Sequence, residues 1–519
     1  MSTRSAAGPT AGPAAGRPAG RAVGPVRTRV PDGLALRLSA TSRLGDRGRT
    51  LFGGSPARLL HLRPRAARLV ADGFTVGDEG TARLARFLLD RGLADATPAA
   101  PVWRERDVTV VVPVKDRPEA LARLLAVLPP ACRVVVVDDG SRAAAATATA
   151  TATLAAGGLL LRHPVVRGPA AARNTGLAQV RTPLVAFVDS DIVPRPGFLA
   201  PLLAQLADPA VGLVAPRIAA LGAEDAAGVQ GPGTARSPKP GSGQRRSVLR
   251  EAVARYEAAR SSLDLGPVPS LVVPRGRVAY VPSACLVGSV EAFGDGFDEE
   301  MQVGEDVDLV WRVVGAGWRV RYEPSAVVEH EHRVAVHAWL ARKAFYGTSA
   351  APLAQRHGPA VAPVVASPWT ASVAVALLVQ RRWSVGAATG IAAWSTYRLS
   401  RRLHHCDRPL ATAARLAPYG VVSALWQLGA AATRHWWPVA LPAAVVSRRV
   451  RRAVLAAAVV DGLADWRRTR PALDPVTHTV LRRLDDLAYG AGLWWGAWQH
   501  RTTAPLRPRL AASPERDGG

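Results

Sequence analysis

The chain has 519 residues, enough for several domains at roughly 150 residues each, and 48% of them are hydrophobic, which excludes a polar unfolded chain. Its 47 glycines and 42 prolines are too few for a collagen-like or low-complexity protein. The formal charge of +26 rests on arginine, since Lys115, Lys239 and Lys343 are the only lysines; with the abundant alanine this reads as coding bias of a GC-rich genome, so no nucleic-acid partner is expected, although nucleotide phosphates or an acidic membrane leaflet would suit such a surface.

The first 30 residues are a Gly/Ala/Pro/Arg tail with no apolar signal region and are expected to be disordered. In 31–100, Leu34–Ser39 alternates like a strand, Arg58–Leu62 forms a second apolar run after the turn signal Phe52-Gly53-Gly54, and Thr81–Arg91 carries a helical pattern. Two strands and helices in so short a stretch predict a winged-helix-like module.

From Asp107 the texture changes. Val108–Val114 is an almost unbroken β-branched run, as in a strand buried on both faces of a parallel sheet. Glu119–Leu128 reads as a helix, and Arg133–Asp139 and Leu184–Asp189 as two further buried strands, which predicts an open α/β sheet over 105–335 with ligands at the carboxyl ends of its strands. Residues 220–245 are rich in Gly, Ser and Pro and are expected to form a mobile insertion.

Beyond about 335 the chain is expected to be helical and membrane-associated. Eleven of the 14 tryptophans lie there, and the uncharged run Ala360–Val379 is closed by Arg381-Arg382. That run is about 30 Å long as a helix, enough to span a bilayer core, but its prolines and polar residues favour helices lying in the interface of an anionic leaflet. The expected location is the cytoplasmic face of the cell membrane. The widely spaced Cys132, Cys285 and Cys406 form no CxxC pair, so a reducing compartment is the default.

Three acidic motifs carry the chemistry: Asp138-Asp139-Gly140-Ser141, Asp189-Ser190-Asp191, and Gly304-Glu305-Asp306 at the start of an expected helix over 306–314. Each alone is weak, because acidic pairs at strand and helix ends are usually turns or caps. Their order and their preceding apolar strands make the set specific. A nucleotide diphosphate leaving group needs a hard divalent cation, Mg²⁺ or Mn²⁺, and Asp189 and Asp191, two apart at a strand end, suit one ion. A further carboxylate must take the proton of the attacking hydroxyl, and Asp306, beside Glu305, is the candidate.

With Pro113-Val114-Lys115-Asp116-Arg117-Pro118 and Gly168–Gly176 added, these motifs resemble glycosyltransferase family 2, inverting nucleotide-sugar transferases of the GT-A fold. The resemblance implies that Pro113, Asp116, Asp138 and Asp139 hold the uridine. It places Arg173 and Asn174 near the nucleotide, and Asp189 and Asp191 on ribose and metal. It makes Asp306 the base, and it offers His330, or His332 in its place, as a further metal ligand. Leu51–Leu62, Pro282–Gly288, Val303–Arg312 and Tyr346–Ala354 extend the likeness to the glycosyltransferases of mycofactocin systems. That family implies transfer of glucose, from UDP-glucose, onto a peptide-derived redox cofactor precursor, building a β-1,4-linked chain. It implies a peptide-binding role for 31–100, and places Cys285, Arg342 and Tyr346 on the acceptor side. The Gln-x-x-Arg-Trp signature that holds a growing glucan is absent, so processivity stays open. Two other readings compete: transfer to a lipid phosphate acceptor, suggested by the apolar C-terminal segments, and a catalytically silent peptide-binding protein, against which the intact Asp189, Asp191 and Asp306 argue.

Overall fold

The computed structural model describes residues 28–97, 101–221, 242–331, 335–404 and 406–510, with side chains of 242–247 left aside. The expected tail is thus almost wholly outside the described residues, as are 222–241 of the expected insertion and His332. The last part of that insertion, from Ser242, is already helical.

The N-terminal module holds more strands than the sequence suggested. β1 (Ala35–Leu38), β2 (Arg43–Gly45), β3 (Thr50–Gly53), β4 (Arg58–His61), β5 (Phe74–Thr75) and β6 (Ala94–Thr97) form two small antiparallel sheets, ordered β5-β1-β6 and β2-β3-β4. The strands are too short to show a period of two. Helices α1 (Pro64–Asp72) and α2 (Glu79–Leu89) cover them, burying Val70, Leu88 and Leu89 against Leu36 and Leu51. A capping box fixes the start of α2: the Thr81 N–H donates to Asp78 Oδ1 at 2.6 Å and the Asp78 N–H to Thr81 Oγ1 at 3.0 Å. Two bidentate pairs dock the module on the next domain, Arg86 with Asp208 and Arg319 with Asp90, all four bonds between 2.7 and 2.9 Å.

The central domain comprises β7 (Val108–Val114), α3 (Pro118–Val127), β8 (Arg133–Asp139), α4 (Ala143–Ala155), β9 (Leu159–His163), α5 (Pro169–Leu177), β10 (Leu184–Val188), β11 (Ile192–Pro194), α6 (Leu199–Gln205), β12 (Val211–Ala220), α7 (Ser242–Arg260), β13 (Ser270–Val272), β14 (Cys285–Ser289), α8 (Val290–Phe293), α9 (Glu305–Gly315) and β15 (Arg319–His330). Its sheet runs β11-β15-β12-β14-β10-β7-β8-β9, with β13 on β15. β10, β7, β8 and β9 are parallel, whereas β14 runs antiparallel to both β10 and β12. The sheet is therefore mixed, and buried on both faces: Val110, Val112 and Val136 pack into one core layer, Val111, Val135 and Phe187 into the other.

The C-terminal region consists of α10 (Val336–Thr348), α11 (Ala350–His357), α12 (Pro368–Leu378), α13 (Ser384–Arg402), α14 (Pro409–Ala430), α15 (Trp437–Val446), α16 (Arg448–Thr469) and α17 (Pro475–Gln499), with a π turn at Ala431–His435 between α14 and α15. The apolar run from Ala360 is not one helix. It begins in a 3₁₀ turn, passes through the short strand Val365–Ala366, which pairs with Arg509–Leu510, and only then enters the 11-residue α12. Pro363 and Pro368 lack the N–H groups a continuous helix would need. Among the described residues no helix is long and apolar enough to cross a membrane.

The region is anchored by close backbone packing and by buried charge. A Cβ on Gly492 would lie 1.7 Å from the Ala344 carbonyl oxygen, and one on Gly347 2.1 Å from that of Tyr489, so α10 and α17 meet main chain to main chain. Beside them Lys343 is buried: its Nζ lies 2.9 Å from Glu257 and 3.4 Å from Asp485. Trp339 Nε1 donates to the same Glu257 at 2.8 Å and the Tyr256 hydroxyl to Asp485 at 3.1 Å, which ties α7, α10 and α17 together.

Candidate active site

The first two motifs interlock where β7 and β8 end. The Asp116 N–H, at a left-handed backbone position (φ 52°), donates to Ser141 Oγ at 2.8 Å, and Asp116 Oδ1 accepts the Arg142 N–H at 2.9 Å. Asp138 Oδ1 accepts the Ser141 N–H at 3.0 Å; its Oδ2, 3.5 Å from Arg162 Nε, has no hydrogen-bond partner among the described residues. Pro113 lies half-buried on β7 beside this loop pair. Asp116 and Asp138 are thus linked through Ser141.

Asp139, expected at the nucleotide, is here engaged by the fold. It is 5% exposed, and Oδ1 accepts from the Arg167 N–H at 2.8 Å and lies 2.8 Å from His163 Nδ1, while Oδ2 accepts from the Gly168 N–H at 2.8 Å. This carboxylate pins the loop that starts α5. The Asn174 amide donates to the Phe297 carbonyl at 2.7 Å and to Glu299 Oε1 at 3.0 Å, and accepts the Phe297 N–H at 2.8 Å. It clamps the segment that leads to Glu305.

Arg173 joins the second and third motifs. It is 3% exposed, and its Nη2 donates to Asp189 Oδ1 at 2.7 Å while Nη1 donates to Glu305 Oε1 at 3.2 Å. Asp189 and Asp191 do not converge. After β10 the chain turns, Asp189 faces Arg173, and Asp191 faces Arg117 and lies 3.5 Å from His330 Nε2. His330 closes β15, which pairs with β11 and so brings the histidine back to the aspartate. Burial tends to raise the Asp191 carboxyl, but the His330 hydrogen bond and charge, with Arg117, outweigh it and hold the group at about 2.

Glu305 and Asp306 open α9 behind Gly304, whose left-handed backbone (φ +82°) faces Ser349; a Cβ there would come within 2.9 Å of the serine Cβ. Asp306 Oδ1 accepts from the Val307 N–H at 2.8 Å and Oδ2 from the Ser283 N–H at 3.4 Å. Burial, then the neighbouring Asp306 charge, pushes the Glu305 carboxyl up to about 7 against the pull of Arg173. Burial also raises Asp306, opposed by its backbone hydrogen bonds and Arg173. The two titrate as a pair, poised to take up a proton near neutrality.

The comparisons with known proteins fit this geometry. The family profile Glycosyl transferase family 2 matches residues 109–253. Over 499 residues, 93% of this chain and 99% of the relative, the sequence is 44% identical to the "Pre-mycofactocin glycosyltransferase" of two Mycobacterium tuberculosis strains, CDC 1551 / Oshkosh and H37Rv. The chain belongs to the pre-mycofactocin glycosyltransferase family. It is also 30% identical over 229 residues, 43% of its own length and 60% of the relative, to succinoglycan biosynthesis protein ExoU of Rhizobium meliloti strain 1021. Among solved structures, the mannosyltransferase PcManGT of Pyrobaculum calidifontis is 20% identical, with a TM-score of 0.36 over 63% of this chain and 88% of that one.

The mixed central sheet is accordingly the GT-A domain of a family 2 glycosyltransferase. In this glycosyltransferase Cys285, assigned from sequence to the acceptor side, is corrected: it is 0% exposed, sits on β14 opposite Val188, and burial pushes its thiol far up. Arg342 and Tyr346 do lie on one face of α10, with Arg342 Nη1 donating to the Tyr346 hydroxyl at 3.0 Å. Sequence reasoning missed Asp308, which is 1% exposed, accepts from Arg312 Nε at 2.8 Å and lies 2.9 Å from His357 Nε2, tying α9 to α11. The repeated acidic pattern of α9 was its only signal. Arg117, which pairs with Asp191, was also missed.

Proposed function

We propose that this glycosyltransferase moves glucose from UDP-glucose onto pre-mycofactocin, a peptide-derived redox cofactor precursor, with inversion, and extends the product into a β-1,4-linked chain. The observation that carries the reading is the end-to-end match to pre-mycofactocin glycosyltransferase at 44% identity, joined to an Asp306 held beside Arg173 and the donor-side Asp189.

Asp306, in its charged form, accepts the proton of the acceptor hydroxyl. That oxygen forms a bond to the anomeric carbon as the bond from that carbon to the diphosphate breaks, and the nucleotide diphosphate leaves with the electron pair. A single displacement with one base turns an α-linked donor into a β-linked product. Arg173 stabilises the charge on the Glu305–Asp306 pair as proton transfer begins. Asp116 and Asp138 receive the nucleoside, and Asp189 the ribose side.

Asp191 and His330 suit a divalent cation, Mg²⁺ or Mn²⁺: a carboxylate held charged and an imidazole 3.5 Å away would be compatible donors once the cation displaces Arg117 from Asp191. Among the described residues no group of three or more candidate ligating side chains is found, so Asp191 and His330 would be the protein's share of such a site. When bound, the cation supplies countercharge to the diphosphate.

The same reading places the protein on the cytoplasmic face of the cell membrane, against anionic lipid. Trp383, Trp394, Trp495 and Trp498 are exposed, as are Val445 and Val446 at the end of α15, next to Arg448, Arg449, Arg451 and Arg452 on α16. Residues 31–97 would present the peptide-derived acceptor.

Incubation of the full chain with UDP-glucose, MnCl₂ and pre-mycofactocin, analysed by mass spectrometry and NMR, tests the reading. A hexosylated product with a β-anomeric proton is expected. Sugar transfer only to polyprenyl phosphate, or an α-linked product, would overturn it. Flotation with anionic vesicles tests the membrane assignment separately; a chain left wholly at the bottom of the gradient would reject it.

A further inference from the structure

Arg173 is carried by α5, and the direction in which it points is set by the rotation of that helix about its own axis. At 3.6 residues per turn, residues 173–176 complete one turn, and each of the four is held on a different side. Arg173 reaches Asp189 and Glu305, and Asn174 grips Phe297. Gly176 lies so close to β7 that a Cβ there would come within 2.2 Å of Val111 Cγ1. Thr175 faces the remaining side, where its Oγ1 lies 2.9 Å from His163 Nε2. The other ring nitrogen, Nδ1, lies 2.8 Å from Asp139 Oδ1. That carboxylate already accepts the Arg167 and Gly168 N–H groups at 2.8 Å each, so a hydrogen on Nδ1 completes its contacts, and Nε2 is left to the Thr175 hydroxyl. His163 ends β9 and is buried, so it acts through α5 rather than on a substrate.

We propose that His163 is a positioning residue of the transferase: its imidazole ties Asp139, at the start of α5, to Thr175, in the middle of the helix, and so aims Arg173 between Asp189 and Glu305. The inference rests on the functional reading above and adds the group that sets the geometry of its Arg173 link. A rigid, planar ring with a polar atom on each side suits this task, because it spans the gap between two oxygens without the rotamer freedom of a long amide chain. The lever is short. At about 6 Å from the helix axis, a rotation of about 10° moves a side-chain group by about 1 Å. The Arg173 bonds of 2.7 Å to Asp189 and 3.2 Å to Glu305 do not survive such a shift together. A misplacement of about 1 Å, even one that originates away from the reacting atoms, is enough to slow a reaction by about 10²-fold. Asn174 and Gly176 hold the helix from two further sides, so loss of the imidazole loosens its rotation without releasing it.

The experiment measures transfer by the full chain and by Thr175→Val, Thr175→Ser and His163→Asn, with UDP-glucose, MnCl₂ and pre-mycofactocin, at a temperature where thermal unfolding shows each variant folded. Thr175→Val should lower kcat about tenfold with the acceptor KM within about twofold, and Thr175→Ser, which keeps the hydroxyl, should restore most of the loss. His163→Asn keeps a donor for Asp139 but falls short of Thr175, so it should follow Thr175→Val, and it replaces that variant if the valine prevents folding. Both changes are then repeated in Arg173→Lys, which keeps the charge but loses the planar fork between the two carboxylates. There each should cost less than about twofold, because the group they misdirect is already lost. Parent-like kcat in Thr175→Val or His163→Asn would overturn the assignment. So would a tenfold loss in both backgrounds, the signature of a contact that only supports the fold. Failure of the parent chain to transfer at all would instead overturn the functional reading on which this one rests.

Discussion

Replacing Arg173 by methionine probes the link between donor side and base. The arginine is 3% exposed and donates to Asp189 at 2.7 Å and to Glu305 at 3.2 Å, with Asp306 close enough to feel its charge. Methionine keeps much of the volume and removes the charge, so buried carboxylates lose their countercharge, at a cost of about 3–5 kcal/mol when all are ionised. The cost depends on pH. Burial and the Asp306 charge hold the folded-state Glu305 carboxyl at about 7, above its unfolded range. Between about pH 4 and 7 the folded state therefore binds more protons than the unfolded one, and stability falls as pH rises through that window. At about pH 5.5 Glu305 is already protonated in the folded chain, so one fewer buried negative charge is left without its partner and the penalty is smaller. We expect Arg173→Met to lower the melting temperature by about 10 °C at pH about 8.5 and by clearly less at pH about 5.5, at 2–4 °C per kcal/mol for a domain of roughly this size. Thermal unfolding followed by tryptophan fluorescence measures both. Equal shifts at the two pH values would refute the reasoning, and so would a shift below about 3 °C at the higher one.

Asp306→Asn should lower kcat by about 10²–10⁴-fold with little change in donor KM, because a base acts only in the transition state; steady-state kinetics with wild-type turnover would remove the assignment. In the unsubstituted chain the rate of transfer should climb with pH up to about 7 and then level, as the raised Glu305–Asp306 pair gives up its shared proton; a profile flat from about pH 5 upward would contradict this. EDTA should abolish transfer and Mn²⁺ restore it, whereas Asp191→Ala should raise the donor KM and the Mn²⁺ concentration needed; full activity in EDTA would exclude the cation. Gly492→Ala places a Cβ 1.7 Å from the Ala344 carbonyl oxygen and should destabilise the α10–α17 packing by about 1–3 kcal/mol, read as a lower melting temperature.

The sequence by itself determined those parts of this protein that depend on neighbours along the chain. Val108–Val114, Arg133–Asp139 and Leu184–Val188 are strands because β-branched runs suit a sheet buried on both faces, and the acidic motifs lie at their carboxyl ends because the chain must turn there. The order of those motifs and the Gly168–Gly176 segment were enough for the family. Tertiary structure alone decided which polar groups are spent on the fold. Asp139 and Asn174 carry the residue types of ligand contacts, yet their atoms are used up on Gly168 and Phe297. Arg173 reaches Glu305 across 132 positions, and Lys343 is buried by Glu257 and Asp485 on two other helices. The uncharged run from Ala360 satisfies a hydropathy window but is divided by prolines and by a strand pairing with Arg509–Leu510 far downstream. A charge is stable in a core only when a partner arrives there, and which partner arrives is a property of packing in three dimensions. For that reason the acidic motifs and their order were legible in one dimension, while the Arg173 link between Asp189 and Glu305 was not.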